Sequence, residues 1–514
     1  MHNRRQSLNK KYLQFLGFLL WSILFAITYC QSPLFTSNQN QYFLHGMAHA
    51  KIGFLDRDWL ANTADPTPVF NKFIELTYRI LNWEPIFYGY YALLMGIYFY
   101  SLYGIARSLF SIEKSLSHKL FFIASFFLIH SAGLRFVLSR LIGINWTYIL
   151  EDGVADQRML GSVFQPSTFG VFLLLSIYLF LNNHKYLAVA SACLAAIFHP
   201  TYLLSAALLT CSYIVLIYRE SREIKQTASL GLMALILVSP IVYRSFSIFT
   251  GDDAFLVEKA RQILITFRIP HHAIVSQWFD ATAIVKILFM LLALWIIRNK
   301  SVFTILLIPF CTAVVLTIIQ VILKNQALAL LFPWRVSIFL VPISVTILVA
   351  HYGSLFIDEI TIDASQNQRI INWCSMALIS LAVISGASRF TLDLIRKENI
   401  PERALFTYVL SHIQSTDLYL TPSKMQDFRL ETGAPVFIDF KSIPYKETDV
   451  IEWYRRITLN NHFYQDMDCS ILSSLIKHER ITHIVIDTSS QFEGCPFISL
   501  QYQDANFQIF RAGN

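Results

Sequence analysis

Apolar residues run through this chain in long blocks, and the polar residues gather between them. The blocks fall at about 12–30, 86–109, 119–134, 166–181, 186–199, 201–218, 228–243, 281–297, 302–323, 328–350 and 370–388. A stretch of about 20 apolar residues matches the hydrocarbon core of a bilayer. The pattern therefore predicts an α-helical polytopic membrane protein with about eleven transmembrane helices. The blocks at 186–199 and 201–218 abut at His199-Pro200, so they read as two short spans or one broken pair. After residue 388 the blocks shorten and charge rises. LYLTP, PVFIDF, THIVIDT and FQIFRA read as strands, and TDVIEWYRRI and SILSSLIKHERI as helices. Strands alternating with helices predict a small C-terminal α/β domain. The expected division is 1–388, a multi-pass domain carrying a long first loop (31–84), and 389–514, the α/β domain.

Topology follows from the basic residues. The first eleven residues are basic, and Arg107, Lys114, Lys119, Lys185, Arg219, Arg222, Lys225, Arg298 and Lys300 mark alternate connectors. By the positive-inside rule these lie in the cytoplasm. The N-terminus is then cytoplasmic, and the first block reads as a retained helix. The loops 31–84, 135–165 and 244–280 face outside, and an odd number of spans puts the C-terminal domain outside as well. Within the first loop, QYFLHGMAHAKIGF and PVFNKFIELTYRIL carry helical apolar spacing, expected for helices lying along the membrane interface.

Composition agrees. Only 15% of residues are charged, against about 25% in soluble domains. The net charge of +7 is scattered beside apolar blocks, which is a topology signal and not a nucleic-acid one. Seven cysteines form no CxxC motif and no zinc spacing. Cys469 and Cys495, in the polar tail, are able to pair if the tail is extracytoplasmic.

Candidate chemistry collects in the outer loops. FLDRDWLANTADPTPVF, residues 54–70, packs Asp56, Asp58 and Asp65 with Arg57 between apolar segments. A carboxylate at the mouth of a membrane cavity suits general-base work on an acceptor hydroxyl. Asp58 is also placed to cap Trp59-Leu60-Ala61, and the alternative for both Asp56 and Asp58 is a solvated loop or capping role. Asp65-Pro66-Thr67-Pro68 reads as a turn. The loop GINWTYILEDGVADQRMLGSVFQPS offers Arg158 to a phosphate and Gln165 to a sugar hydroxyl, or else it is an ordinary helix-end charge cluster. His199 in FHPTY suits a phosphate or hydroxyl, or packs beside Pro200. Arg335 in LLFPWRVS binds an anion or snorkels to the interface. Arg261, Arg268, His271 and His272 add positive charge to the loop 244–280. Oxygen ligands in these loops are compatible with Mg²⁺ or Mn²⁺, but no spacing demands a metal, so no cofactor is required.

The whole arrangement resembles the GT-C superfamily of integral-membrane glycosyltransferases. The resemblance lies in a cytoplasmic N-terminus, an acidic motif in the first outer loop, ten or more further spans and an extracytoplasmic C-terminal domain. It implies a polyprenyl-phosphate sugar donor, a glycan or lipid acceptor, inverting transfer, and a catalytic base at Asp56 or Asp58. The strings FLDRDWLANTADPTPVF, DQRMLGSVFQPSTFG, FHPTYLL, FPWR and VFIDFKSIPYK are also similar to those of an uncharacterised family of bacterial multi-pass proteins, which implies residence in a bacterial inner membrane. No WWDYG-like string is present, which argues against a peptide acceptor, and the acidic motif is D-x-D instead of an adjacent pair. Two other readings stand beside this one. A transporter or flippase of a lipid-linked substrate predicts inverted repeats and broken helices at the midplane. A non-catalytic envelope assembly protein predicts that the Asp motif is replaceable.

Overall fold

A computed structural model of the chain describes residues 2–249, 251, 253–361, 365–490 and 492–513. It is mostly helical, and each predicted apolar block falls largely on helix. Two compact units emerge. One comprises Met1–Gln31, Pro85–Val242 and Ile269–Leu392, and the other Ser32–Glu84, Tyr243–Arg268 and Asp393–Asn514.

The first unit is helical. Seven helices are long and apolar enough to cross a membrane: Tyr12–Tyr29, Ile86–Leu109, Pro200–Ser221, Ile224–Ile248, Val302–Leu323, Gln326–Ile360 and Gln366–Glu398. Leu116–Ile129 and Ala132–Leu141, bent by 54°, make an eighth if they form one broken span. Pro166–Leu181, Lys185–Phe198 and Ala281–Ile296 are apolar but shorter. The 14 residues of Lys185–Phe198 rise about 21 Å, against a hydrocarbon core of about 30 Å. By length and composition, then, seven or eight helices qualify among the described residues, against about eleven expected from the blocks. The abutting blocks at His199-Pro200 are two helices, Lys185–Phe198 and Leu203–Ser221, separated by the 3-10 turn Pro200–Tyr202.

Aromatic side chains fill the contact between the first helices. Phe25 stacks on Tyr98 at 6.0 Å and meets Phe126 and Phe127 at 5.4 Å. Gly386 lets the helix Ser365–Glu398 approach the first helix closely: a side chain there would meet the backbone of Ile27 and Thr28. Outward faces remain apolar, as Leu232, Leu235, Ile236, Phe246, Trp295 and Trp373 all show. Large apolar surface left exposed on long helices is what lipid solvation requires.

The second unit contains a four-stranded sheet. Its strands are β1 (Tyr419–Leu420), β2 (His483–Asp487), β3 (Ile498–Gln503) and β4 (Phe507–Ala512), in the order β1-β2-β4-β3. β1 pairs with β2 in parallel, and the other pairs are antiparallel. PVFIDF, expected as a strand, contributes only an isolated bridge from Val436 to Tyr419. Helices Arg403–His412, Glu447–Asp466 and Cys469–Glu479 complete the tail. Leu405, Phe406, Val409, Tyr419, Phe428, Val436 and Val485 share its core. Cys469 and Cys495 are disulfide-bonded.

The division differs from the expected one in two ways. The boundary falls after Leu392, and the first loop and the segment Tyr243–Arg268 belong to the same compact unit as the tail. Within the first loop, helices Leu44–His49 and Pro68–Ile80 pack together, with Phe43, Leu44, Met47, Phe70 and Ile74 buried. The far side of Pro68–Ile80 and the residues after it leave Leu76, Ile80, Leu81 and Trp83 exposed. Gly53 and Gly433 also join the loop to the tail. Phe54 N–H donates to the Gly433 carbonyl at 2.9 Å. Both glycines have positive φ, and a side chain at Gly53 would run into the Gly433 backbone.

Candidate functional site

In the helical unit the polar side chains converge on one stretch, Glu151–Arg158. Gly153 lets this stretch lie against the start of the helix Ser337–Thr361, because a Cβ there would overlap Ser337 Oγ. Val154 N–H donates to Ser337 Oγ at 2.7 Å, and Ser337 Oγ donates to the Trp334 carbonyl. Ala155 and Asp156 then turn the chain through the left-handed region. The Ala155 carbonyl sits 2.7 Å from His272 Nδ1, and the Gly153 carbonyl accepts from Lys286 Nζ at 2.9 Å. A buried lysine thus holds the turn from one side, and the Pro333–Val336 turn holds it from the other.

Arg335 is the centre of that second contact. It sits in the 3-10 turn Pro333–Val336, half-buried, with its guanidinium over the Tyr202 ring at 5.0 Å. Nη1 donates to Gln157 Oε1, and Nη2 lies 2.8 Å from His199 Nε2. A guanidinium only donates, so His199 Nε2 is the acceptor and the imidazole is neutral, with its proton on Nδ1. Nε is buried and has no partner. Among the described residues no carboxylate pairs with Arg335. This cation is held by an amide, an imidazole and a ring, without a counter-ion.

Arg158 differs. Nε donates to Asp152 Oδ2 at 2.7 Å and the guanidinium lies over Tyr148 at 4.2 Å, while the side chain stays 43% exposed. Its Nη groups remain available to an incoming anion. Burial pushes the Asp152 carboxyl above its ordinary value, with the Arg158 charge opposing. Glu151 beside it is buried and accepts from Arg135 Nη1 at 3.3 Å. Burial outweighs the nearby arginine and pushes the Glu151 carboxyl up to about 7. Because its folded value is raised above the ordinary 4.5, the folded protein binds this proton more tightly than the unfolded chain. Stability therefore falls as pH rises from about 4.5 to about 7 and stays lower above it. Glu151→Gln is expected to flatten that part of the profile, checked by thermal unfolding of the purified protein between pH 4.5 and pH 8. An unchanged profile would remove Glu151 as its source.

Of the four substrate-binding candidates, the structure brings His199 and Arg335 into direct contact. It ties both to Arg158 through Gln157, the residue before it. Gln165 is buried at the start of the 3-10 helix Pro166–Gly170, and its Oε1 has no partner. Sequence reasoning passed over Gln157, Lys286, Arg135 and Ser337. Lys286 and Arg135 were legible as lone charges within or beside apolar blocks, a costly placement that asks for a partner. Gln157 and Ser337 carried no such signal.

Asp56 and Asp58 belong to the second unit, and their situations are opposite. Asp58 is fully buried. Its Oδ1 accepts from Leu60 N–H at 2.9 Å and Ala61 N–H at 3.4 Å. Its Oδ2 accepts from Arg429 Nε at 2.7 Å and Val436 N–H at 2.9 Å. Arg429 also donates to Asp439 Oδ2, and Asp439 Oδ1 accepts from Ser442 N–H at 2.7 Å. Asp58 caps its local turn, and the same carboxylate pins the first loop to the tail. Asp56 lies exposed in the turn Leu55–Arg57. Its carboxylate has no bond among the described residues. Asp65 accepts from Thr67 N–H and Asn71 Nδ2, as a turn residue does. Among the described residues, no group of three or more His, Cys, Asp or Glu side chains is arranged to hold a metal.

A sequence profile for Domain of unknown function (DUF6798) matches residues 401–459, the segment that carries Arg429 and Asp439. No curated protein matches the chain.

Proposed function

We propose that the protein is a membrane glycosyltransferase of the GT-C kind. It transfers a sugar from a polyprenyl-phosphate-linked donor to an extracytoplasmic acceptor hydroxyl, with inversion. The observation that carries the reading is Arg335, a half-buried guanidinium with a buried, unbonded Nε and, among the described residues, no carboxylate counter-ion. A cation beside apolar segments without a counter-ion is costly, and an anion removes that cost. The planar fork of arginine suits phosphate oxygens. Arg158 offers further donors, and Gln165 Oε1 is an unsatisfied acceptor for a sugar hydroxyl.

In the reaction the acceptor oxygen bonds to the anomeric carbon as its proton passes to a carboxylate. The bond from that carbon to the phosphate oxygen breaks, and the polyprenyl phosphate leaves with the electron pair. One displacement inverts the anomeric centre. Asp56 is assigned as the base, because it is the exposed first-loop aspartate with both oxygens uncommitted. Asp58, committed to four donors, is assigned a structural role. The disulfide of the second unit supports an extracytoplasmic placement for it, since disulfides persist in oxidising compartments. That placement also agrees with the distribution of basic connectors.

The test is transfer from a panel of polyprenyl-phosphate sugars by the purified protein in lipid. Sugar transfer or donor hydrolysis is expected with at least one donor. A donor that binds and crosses the bilayer unmodified would replace this reading with a transporter. Absence of both binding and turnover across the panel would favour the assembly protein.

A further inference from the structure

Away from the cluster just described, the helical unit carries a second polar feature. The turn at 182–184, before the helix Lys185–Phe198, meets the turn at 222–223, before the helix Ile224–Phe249. Lys185 Nζ donates to Gln226 Oε1 at 3.1 Å, and Tyr186 Oη lies 2.8 Å from Ser229 Oγ, which fixes the two turns at one end of the bundle. Between them is a cavity of about 550 Å³ lined by Tyr186, Arg222, Glu223, Lys225, Gln226 and Ser229 with Ile224. Arg222 takes up left-handed backbone geometry, and its guanidinium lies over the Tyr218 ring at 5.2 Å. Arg222, Lys225 and Glu223 line the cavity, and the sequence places Lys185, Arg219 and Glu220 within three residues of lining residues. Neither Arg222 nor Lys225 is ion-paired among the described residues. Exposed apolar side chains accompany the cations: Leu187 is 59% exposed and Ile224 68%, with Tyr186 and Tyr218 exposed as well.

We propose that this cavity binds the head group of an anionic phospholipid. Cations and hydroxyls at the end of apolar helices, accompanied by exposed tyrosine and aliphatic side chains, match an amphiphile with a negative head and two acyl chains. Basic cavities between spans are suited to such head groups. A free anion would use the cations alone, whereas the acyl chains of a lipid would also lie along the apolar rim beside them. The proposal does not depend on sugar transfer.

The experiment titrates the full-length protein in mild detergent with short-chain phosphatidylglycerol, with phosphatidylcholine of the same chain length, and with inorganic phosphate. Bound lipid is counted by native mass spectrometry. Phosphatidylglycerol is expected to bind well above phosphatidylcholine. Lys225→Gln should weaken it about fivefold, and adding Arg222→Gln should weaken it about fivefold again. Equal binding of the two lipids, or unchanged binding in a folded double variant, would overturn the proposal. Displacement of phosphatidylglycerol by an equal concentration of inorganic phosphate would turn the site into one for free anions and overturn it equally. Should the double variant fail to fold, the exposed Lys225→Gln variant gives the same comparison alone.

Discussion

Asp58→Asn is expected to destabilise the second unit by about 3–5 kcal/mol, the usual cost of breaking a buried ion pair from one side. Asp56→Asn is expected to leave stability within about 0.5 kcal/mol, as exposed substitutions do. The contrast follows from the bonds of each carboxylate. Both oxygens of Asp58 face donors: Leu60 and Ala61 N–H on one side, Arg429 Nε and Val436 N–H on the other. An amide has one oxygen. Whichever way the replacement amide turned, its NH₂ group would point at N–H donors, and Arg429 would keep only Asp439 as a charged partner. Arg429→Gln should cost a similar amount. The double variant should lose less than the sum, because the two single changes break the same contact.

Activity should divide the other way. If Asp56 is the base, Asp56→Asn lowers transfer about 10²–10⁴-fold in a folded protein. Thermal unfolding and limited proteolysis, run beside the transfer assay, separate the two effects. A stable Asp58→Asn protein without transfer, beside an active Asp56→Asn, would exchange the roles.

The sequence makes the long apolar helices plain, because length and apolarity act locally. Each block became helix without reference to its neighbours. The separation of Asp56 from Asp58 was not legible. Spacing of two residues is compatible with either one buried, and the choice is made by Arg429, far away in the chain. The same long-range pairing explains why the first loop reads as an interfacial appendage yet packs with the tail. Its anchors, Gly433 and Arg429, give no local sign of their partners. β3 is a different case. ISLQYQ does alternate apolar and polar residues, the pattern of a half-buried strand, so β3 was legible and was passed over, although most residues of Ile498–Gln503 are exposed in the fold. In the helical unit, His199 and Arg335 stood out because ionisable groups are costly among apolar segments, and Arg158 because it lies in a charged cluster of a long loop. Gln157, which joins them, is an ordinary polar residue in an ordinary loop until the fold brings Arg335 to it.

Arg335→Gln is expected to lower kcat about 10²–10³-fold, with a smaller rise in KM. The sign of that split comes from the charge on the donor. A sugar phosphodiester carries one negative charge, and the polyprenyl monophosphate that leaves carries close to two. A guanidinium without any other counter-ion is attracted more strongly as the bond breaks. It therefore stabilises the transition state more than the bound donor. Loss of one preorganised donor to a developing anion has an effect of about this size. Arg335→Lys should fall between the variant and the wild type, because a single ammonium cannot hold Gln157, His199 and the Tyr202 face together. A residue that merely packs the turn would move stability and leave the kcat-to-KM split unchanged. A rise in KM alone would mean that Arg335 holds the phosphate equally before and during the reaction. Unchanged turnover in a folded Arg335→Gln protein would remove the phosphate from this cluster, and with it the main support for the transfer reading.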